Sequence, residues 1–169
     1  VVITFIDNGV PYDPLAKADP DNADTYTANA QAYARQLDTL DAEYQKAAEE
    51  GATKTLLFGD RFPFRYMTDD YGLDYYAAFV GCSAETEASF ETIAFLSAKA
   101  DELGLHSIMT IEGRDHSIAE SIVNNTGSKD QQILTLDSMQ GTTAQDVEAG
   151  ATYLSVMEKN LEILKKALK

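Results

Sequence analysis

Four side chains in this 169-residue sequence stand where a divalent cation could be held: Asp60, Glu112, His116 and Asp137. Asp60 closes the apolar run TLLFGD and is followed by RFPFRYMTDDYGL, a pattern that reads as helix. In open α/β proteins ligands bind in the crevice outside the carboxyl ends of parallel strands, so an acid at that point is placed for coordination or proton transfer. Glu112 and His116, in IEGRDHSIAES, follow another strand candidate and can face the same crevice, and Asp137 ends the strand candidate QQILTLD. Each has a local alternative. Asp60 is equally placed to cap a helix beginning at Phe62, Asp115 or His116 to cap the next helix, and Asp137 to shape a turn with Ser138. His106 begins a strand, which puts it at the far end of the sheet, without a role.

Other chemistries find little support. There is no G-x-S-x-G elbow, phosphate loop or H-E-x-x-H, so no enzyme is expected. The single Cys82 excludes an intramolecular disulfide and reads as a small packed residue rather than a nucleophile. A formal net charge of -15 repels nucleic-acid phosphates and anionic membrane surfaces, so neither partner is expected. Most of the acids lie on solvated helix faces and are not ligands. No run reaches transmembrane length and no basic segment precedes an apolar one at the start, so a soluble chain is expected. Phe62, Phe64, Tyr75 and Tyr76 read as core and groove aromatics.

The elements that must position these residues alternate. Strands are expected in VVITFID, KTLLFG, LDYYAAFVG, HSIMTIEG and QQILTLD, and helices in FPFRYMTDDYG, SFETIAFLSAKADELG, SIAESIVNNTG and from about Ala144 to Leu168. A longer helix starts near DPDNAD, with Asp19 or Asp21 as cap and Pro20 in the first turn. Along it Tyr26, Ala30, Tyr33, Leu37, Leu40, Tyr44 and Ala47 form one apolar stripe. Gly72, Gly104 and Gly127 are placed to end helices in the left-handed conformation. The sum is one three-layer α/β domain of about five mostly parallel strands, helices on both faces and one long backbone helix. Residues 1–20 form an added strand and turn, 21–50 the long helix, and 51–169 the βα repeats.

From about Leu15 onward the sequence resembles the carboxy-terminal lobe of the solute-binding proteins of zinc and manganese ABC transporters. The segments carrying this are DPDNADTYTANAQAYARQLDTLDAEY, TLLFGDRFPFRYMTDDYGLDYYA and GATYLSVMEKNLEILKKAL. The resemblance implies capture of zinc or manganese outside the cytoplasm, periplasmic or at the cell surface, for delivery to an ABC permease. It places Asp60 where that family has a His or Glu ligand, and Asp137 where it has a further acidic one. The family's amino-terminal lobe and its His ligands have no counterpart in these segments, so weak metal binding or none is expected. The face once turned to that lobe suggests a homodimer.

The opening ITFIDNGVPYDPLAKADPD resembles instead the nucleotide-contacting turn of anti-sigma-factor and histidine-kinase-type ATPases, with Asp7 and Gly9 on the adenine side. The magnesium-binding Asn helix and the Gly-rich lid of those proteins have no counterpart here, so no nucleotide is expected. Together the two likenesses suggest a chimera joined within residues 14–21, or a scaffold without ligand function.

Overall fold

Residues 13–79, 88–113 and 115–169 are described by the structure, a computed structural model. The expected strand VVITFID, with Asp7 and Gly9, lies outside the described residues, as does Cys82. The chain divides into two compact units, Val1–Lys46 and Ala47–Lys169.

The first unit is helical where described: α1 (Asp13–Ala18), a 3-10 turn at Pro20–Asn22, and most of α2 (Ala23–Glu50). Pro20 sits in the first turn as expected, but Asp19 caps no backbone amide. Its carboxylate accepts instead from Asn22 Nδ2 at 2.9 Å and Tyr26 OH at 2.8 Å. The apolar stripe of α2 is real but uneven, since Tyr33 is exposed while Leu37 and Tyr44 are buried.

The second unit is built on four parallel strands, β1 (Thr55–Arg61), β2 (Asp74–Phe79), β3 (Ser107–Ile111) and β4 (Gln132–Leu136), in the order β2-β1-β3-β4. They are joined through α3 (Arg65–Asp70), α4 (Phe90–Glu102) and α5 (Ser117–Asn125). β1 and β3 are central, and Leu56–Phe58 of β1 and the whole of β3, its Ser107 and Thr110 included, are buried, as strands covered on both faces are. Leu57 and Ile108 point to the face where α4 and α5 meet, and pack with Leu96, Ala100, Leu105, Ala119 and Ile122. By strand alternation Leu56, Phe58 and Met109 point the other way, and all three are fully buried. Phe58, Phe62, Phe64 and Tyr75 cluster there, with Phe62 stacked on Tyr75 at 3.7 Å between ring centres.

The final helix is two helices, not one. α6 (Ala144–Glu148) and α7 (Tyr153–Ala167) each begin with a capping box, Thr143 with Asp146 and Thr152 with Ser155. Gly150, at φ 95°, turns the chain between them, which leaves Val147 exposed rather than on the apolar face expected for it. Gly72 and Gly104 are left-handed as expected, with φ of 64° and 61°, whereas α5 ends at Thr126 in extended backbone, φ -73° and ψ 162°, and Gly127 is not left-handed. The carboxyl end of α7 is tied down where α2 ends: Leu168 O accepts from Ala52 N at 2.7 Å and Thr53 N at 3.2 Å. Lys54 Nζ donates to the carbonyls of Ala48 and Glu49 in the last turn of α2.

Candidate functional site

The strand order makes a crevice at one place. β1 leads to β2 on one side, and the chain then returns to place β3 on the other side of β1, so the carboxyl ends of β1 and β3 flank the switch point. Asp60, the penultimate residue of β1, stands there. Its Oδ2 accepts from Ile111 N, the end of β3, at 3.3 Å, and its Oδ1 from Arg61 N at 2.7 Å. It does not cap the following helix. β1 runs on to Arg61 and α3 starts only at Arg65, whose preceding residue Phe64 supplies no side-chain cap. Arg61 Nε lies 3.8 Å from the carboxylate, a loose pair, and the Asp60 side chain keeps 17% of its surface open to solvent.

Asp137 follows the last residue of β4, one strand further across the sheet. Its backbone is clamped by the buried Asn160 of α7, which accepts from Asp137 N at 2.9 Å and donates to Asp137 O at 2.8 Å. Asp137 Oδ1 accepts from Met139 N at 2.8 Å, the turn expected of an Asp at this position. Oδ2 receives no hydrogen bond among the described residues.

Glu112, directly after β3, turns toward the loop that follows Asp137. Its Oε1 accepts from Ser138 Oγ at 2.6 Å, Gln140 N at 3.0 Å and Gly141 N at 3.2 Å, and its Oε2 from Ser138 N at 2.6 Å. Burial alone would push this carboxyl up, but the Ser138 hydroxyl and the loop amides outweigh it and hold the group below its ordinary range.

Glu112 and Asp137 line one cavity of about 290 Å³ with Thr142, Asp146, Val156 and Lys159. Asp60 and His116 are not among its walls. His116 stands at the start of α5 without a side-chain cap, and its Nδ1 is buried and unpartnered among the described residues. Asp115 makes the local bond instead, accepting from Ser117 N at 2.9 Å. Expectation and structure therefore differ on the four-residue set. Among the described residues no three His, Cys, Asp or Glu side chains converge on one cation position, because Glu112 is drawn away by its loop and His116 lies at a helix start. Sequence reading missed Asn160 and the amides of Ser138, Gln140 and Gly141, whose partners lie 23 to 29 residues away along the chain. The Thr143–Asp146 pair was legible as T-x-x-D before a helix.

The parallel sheet and its flanking helices match the fold of solute-binding protein lobes. The metal-dependent lipoprotein YcdH of Bacillus subtilis superposes with a TM-score of 0.77 at 26% identity, over 93% of this chain and 57% of that one. The Zn(II)-bound ZnuA-like domain of Streptococcus pneumoniae AdcA gives 0.71 at 29% identity, over 93% and 57%. The chain belongs to the ZnuA family, zinc-uptake complex component A, periplasmic, whose pattern matches residues 12–167. Among curated relatives, the zinc-binding protein AdcA of Streptococcus pyogenes is 32% identical over 163 residues, covering 96% of this chain and 30% of its own length. The high-affinity zinc uptake system protein ZnuA of Bacillus subtilis is 27% identical over 154 residues, covering 91% and 47%. The chain thus spans less than half the length of these two relatives. The family match runs through residues 14–21, where a chimeric join was expected. Among the described residues no helix is long and apolar enough to cross a membrane.

Proposed function

We propose that this chain supplies the carboxy-terminal half of a zinc or manganese site in an extracytoplasmic solute-binding protein that hands its cargo to an ABC permease. The observation that carries this is Asp60 at the β1/β3 switch point, held by an amide from each strand. Asp137 is the second ligand, presented from the end of β4. The donor chemistry fits. A carboxylate offers about four lone-pair positions, so Asp60 with two donors and Asp137 with one retain capacity for a cation. Carboxylate oxygens suit zinc and manganese, and hydrogen bonds that fix the orientation of a ligand are a general feature of such sites. Binding and release make and break no covalent bond, so no catalysis is proposed. Two carboxylates are fewer than the four ligands of a closed zinc site, so this half binds weakly by itself.

The test is calorimetric titration of the metal-stripped chain with zinc and then manganese, beside Asp60→Ala. Saturable binding at one site, weakened in the variant, is expected. Heat no greater than dilution in both proteins would remove metal capture from this chain and leave an inert scaffold. Two further parts of the proposal have separate tests. Homodimerisation through the face that meets the other lobe is checked by equilibrium ultracentrifugation, where a monomer at high concentration removes it. A different origin for residues 1–20 has only the likeness of Asp7 and Gly9 to support it, against a family match that begins at residue 12, and the nucleotide site such a likeness would imply is removed by a lack of response to magnesium-ATP.

A further inference from the structure

We infer that Glu112 is not a ligand but the positioning residue of the cation site, the group that builds the loop carrying Asp137 and so aims its carboxylate. This rests on Asp137 being a ligand, as proposed above. Four donors from one short loop converge on the two oxygens of Glu112: the Ser138 amide and hydroxyl at 2.6 Å each, and the amides of Gln140 and Gly141 at 3.0 and 3.2 Å. Four donors match the accepting capacity of a carboxylate, so a cation could take Glu112 only by dismantling the loop. Bonds to an ionised acceptor are short and strong, as the two shortest here are.

The loop needs such an anchor. Met139, a non-glycine residue, sits in the left-handed region at φ 62°, and the Asp137 side chain is oriented by Met139 N at 2.8 Å. The orientation of Asp137 therefore depends on Met139 holding an uncommon backbone conformation, and the residues on either side of Met139 are the ones Glu112 grips. Gly141 fits closely as well, since a Cβ there would stand 3.4 Å from Glu112 Cγ. Two consecutive residues at the end of β3 thus serve the two proposed ligands, Ile111 through its amide to Asp60 and Glu112 through the loop to Asp137.

The experiment is a double-mutant cycle read by zinc calorimetry on the whole chain: wild type, Glu112→Gln, Asp137→Ala and the double variant, with amide exchange measured at Ser138, Gln140 and Gly141. A positioning residue should lose about 10- to 100-fold in zinc affinity on substitution, and nothing further once Asp137 is gone. The loop amides should lose protection while those of Ile108 and Ile111 keep theirs. A Glu112→Gln protein that binds as wild type overturns the inference, and so do losses that add in the double variant, which would make Glu112 a ligand itself. Should Glu112→Gln fail to fold, Ser138→Ala removes one donor and leaves the carboxylate. It should weaken zinc in the wild-type background and not in Asp137→Ala, and no effect in either overturns the inference. Wild type failing to bind zinc, or Asp137→Ala binding as wild type does, defeats the proposed function and this inference with it, whereas an unaffected Glu112→Gln beside a weakened Asp137→Ala defeats the inference alone.

Discussion

A carboxylate whose environment favours its charge must weaken the fold when it is neutralised. For Glu112 burial works against ionisation and the Ser138 and loop bonds work for it, with the net effect of lowering its pKa from an ordinary value of 4.5. The folded value is depressed below the unfolded one. Its contribution to stability is therefore complete above the ordinary value and disappears as pH falls through the depressed one. In the metal-free chain, urea midpoints measured across that acid range should fall more steeply for wild type than for Glu112→Gln. Parallel profiles would mean the carboxylate and its four donors do not stabilise the folded state. Asn160 makes the corresponding neutral case. It satisfies both the N–H and the C=O of Asp137 from a buried position, so Asn160→Ala should cost about 1–3 kcal/mol in a denaturant titration. The same substitution should also loosen Asp137 and weaken zinc binding.

At the scale of elements, the approach of α5 to β1 is set by the smallness of two residues. A Cβ on Gly59 would lie 2.6 Å from Ala119 Cα and 2.8 Å from Ala119 Cβ, and the obstacle is backbone that cannot swing aside. Gly59→Ala should destabilise by about 1–3 kcal/mol through forced overpacking, with the denaturant slope unchanged. Asp60 is the next residue, so the variant should also disturb the bond from Ile111 N, visible as a shifted amide resonance. The sequence made these elements legible where signals are local. β1 and β3 announce themselves as apolar runs between turn residues, and Ser89 before FETIAFLSAKADE marks the start of α4, where its hydroxyl accepts from Thr92 N. The break between α6 and α7 was written in GATYLS but masked by an apolar spacing that ran across it. What could not be read were bonds between distant segments. Asp60 looked like a helix cap because the sequence does not show that β1 continues to Arg61, and Glu112 looked like a ligand because its donors lie 26 to 29 residues downstream.

For the whole molecule the decisive property is charge. A formal net charge of -15 on 169 residues attracts any divalent cation to the surface, so a rise in stability on adding zinc is not by itself a sign of a site. The two effects scale differently. A general atmosphere acts by screening, whose range contracts from about 30 Å at 0.01 M ionic strength to about 8 Å at 0.15 M. Sodium chloride should therefore stabilise the chain gradually over that interval, and magnesium should do the same at lower concentration without saturating. A site acts by mass action, stabilising by RT ln(1 + [L]/Kd), which is about 2.7 kcal/mol at a hundredfold excess over Kd. With the range of the atmosphere held at about 8 Å in 0.15 M salt, zinc should still raise the thermal midpoint, and the increment should vanish in the Asp60→Ala, Asp137→Ala double variant. Removing two acids from so acidic a chain relieves repulsion and should raise the variant's starting midpoint at low salt, opposite in sign to the loss of zinc response. An atmosphere would give the variant and the wild type nearly the same zinc response, since thirteen of the fifteen net charges remain.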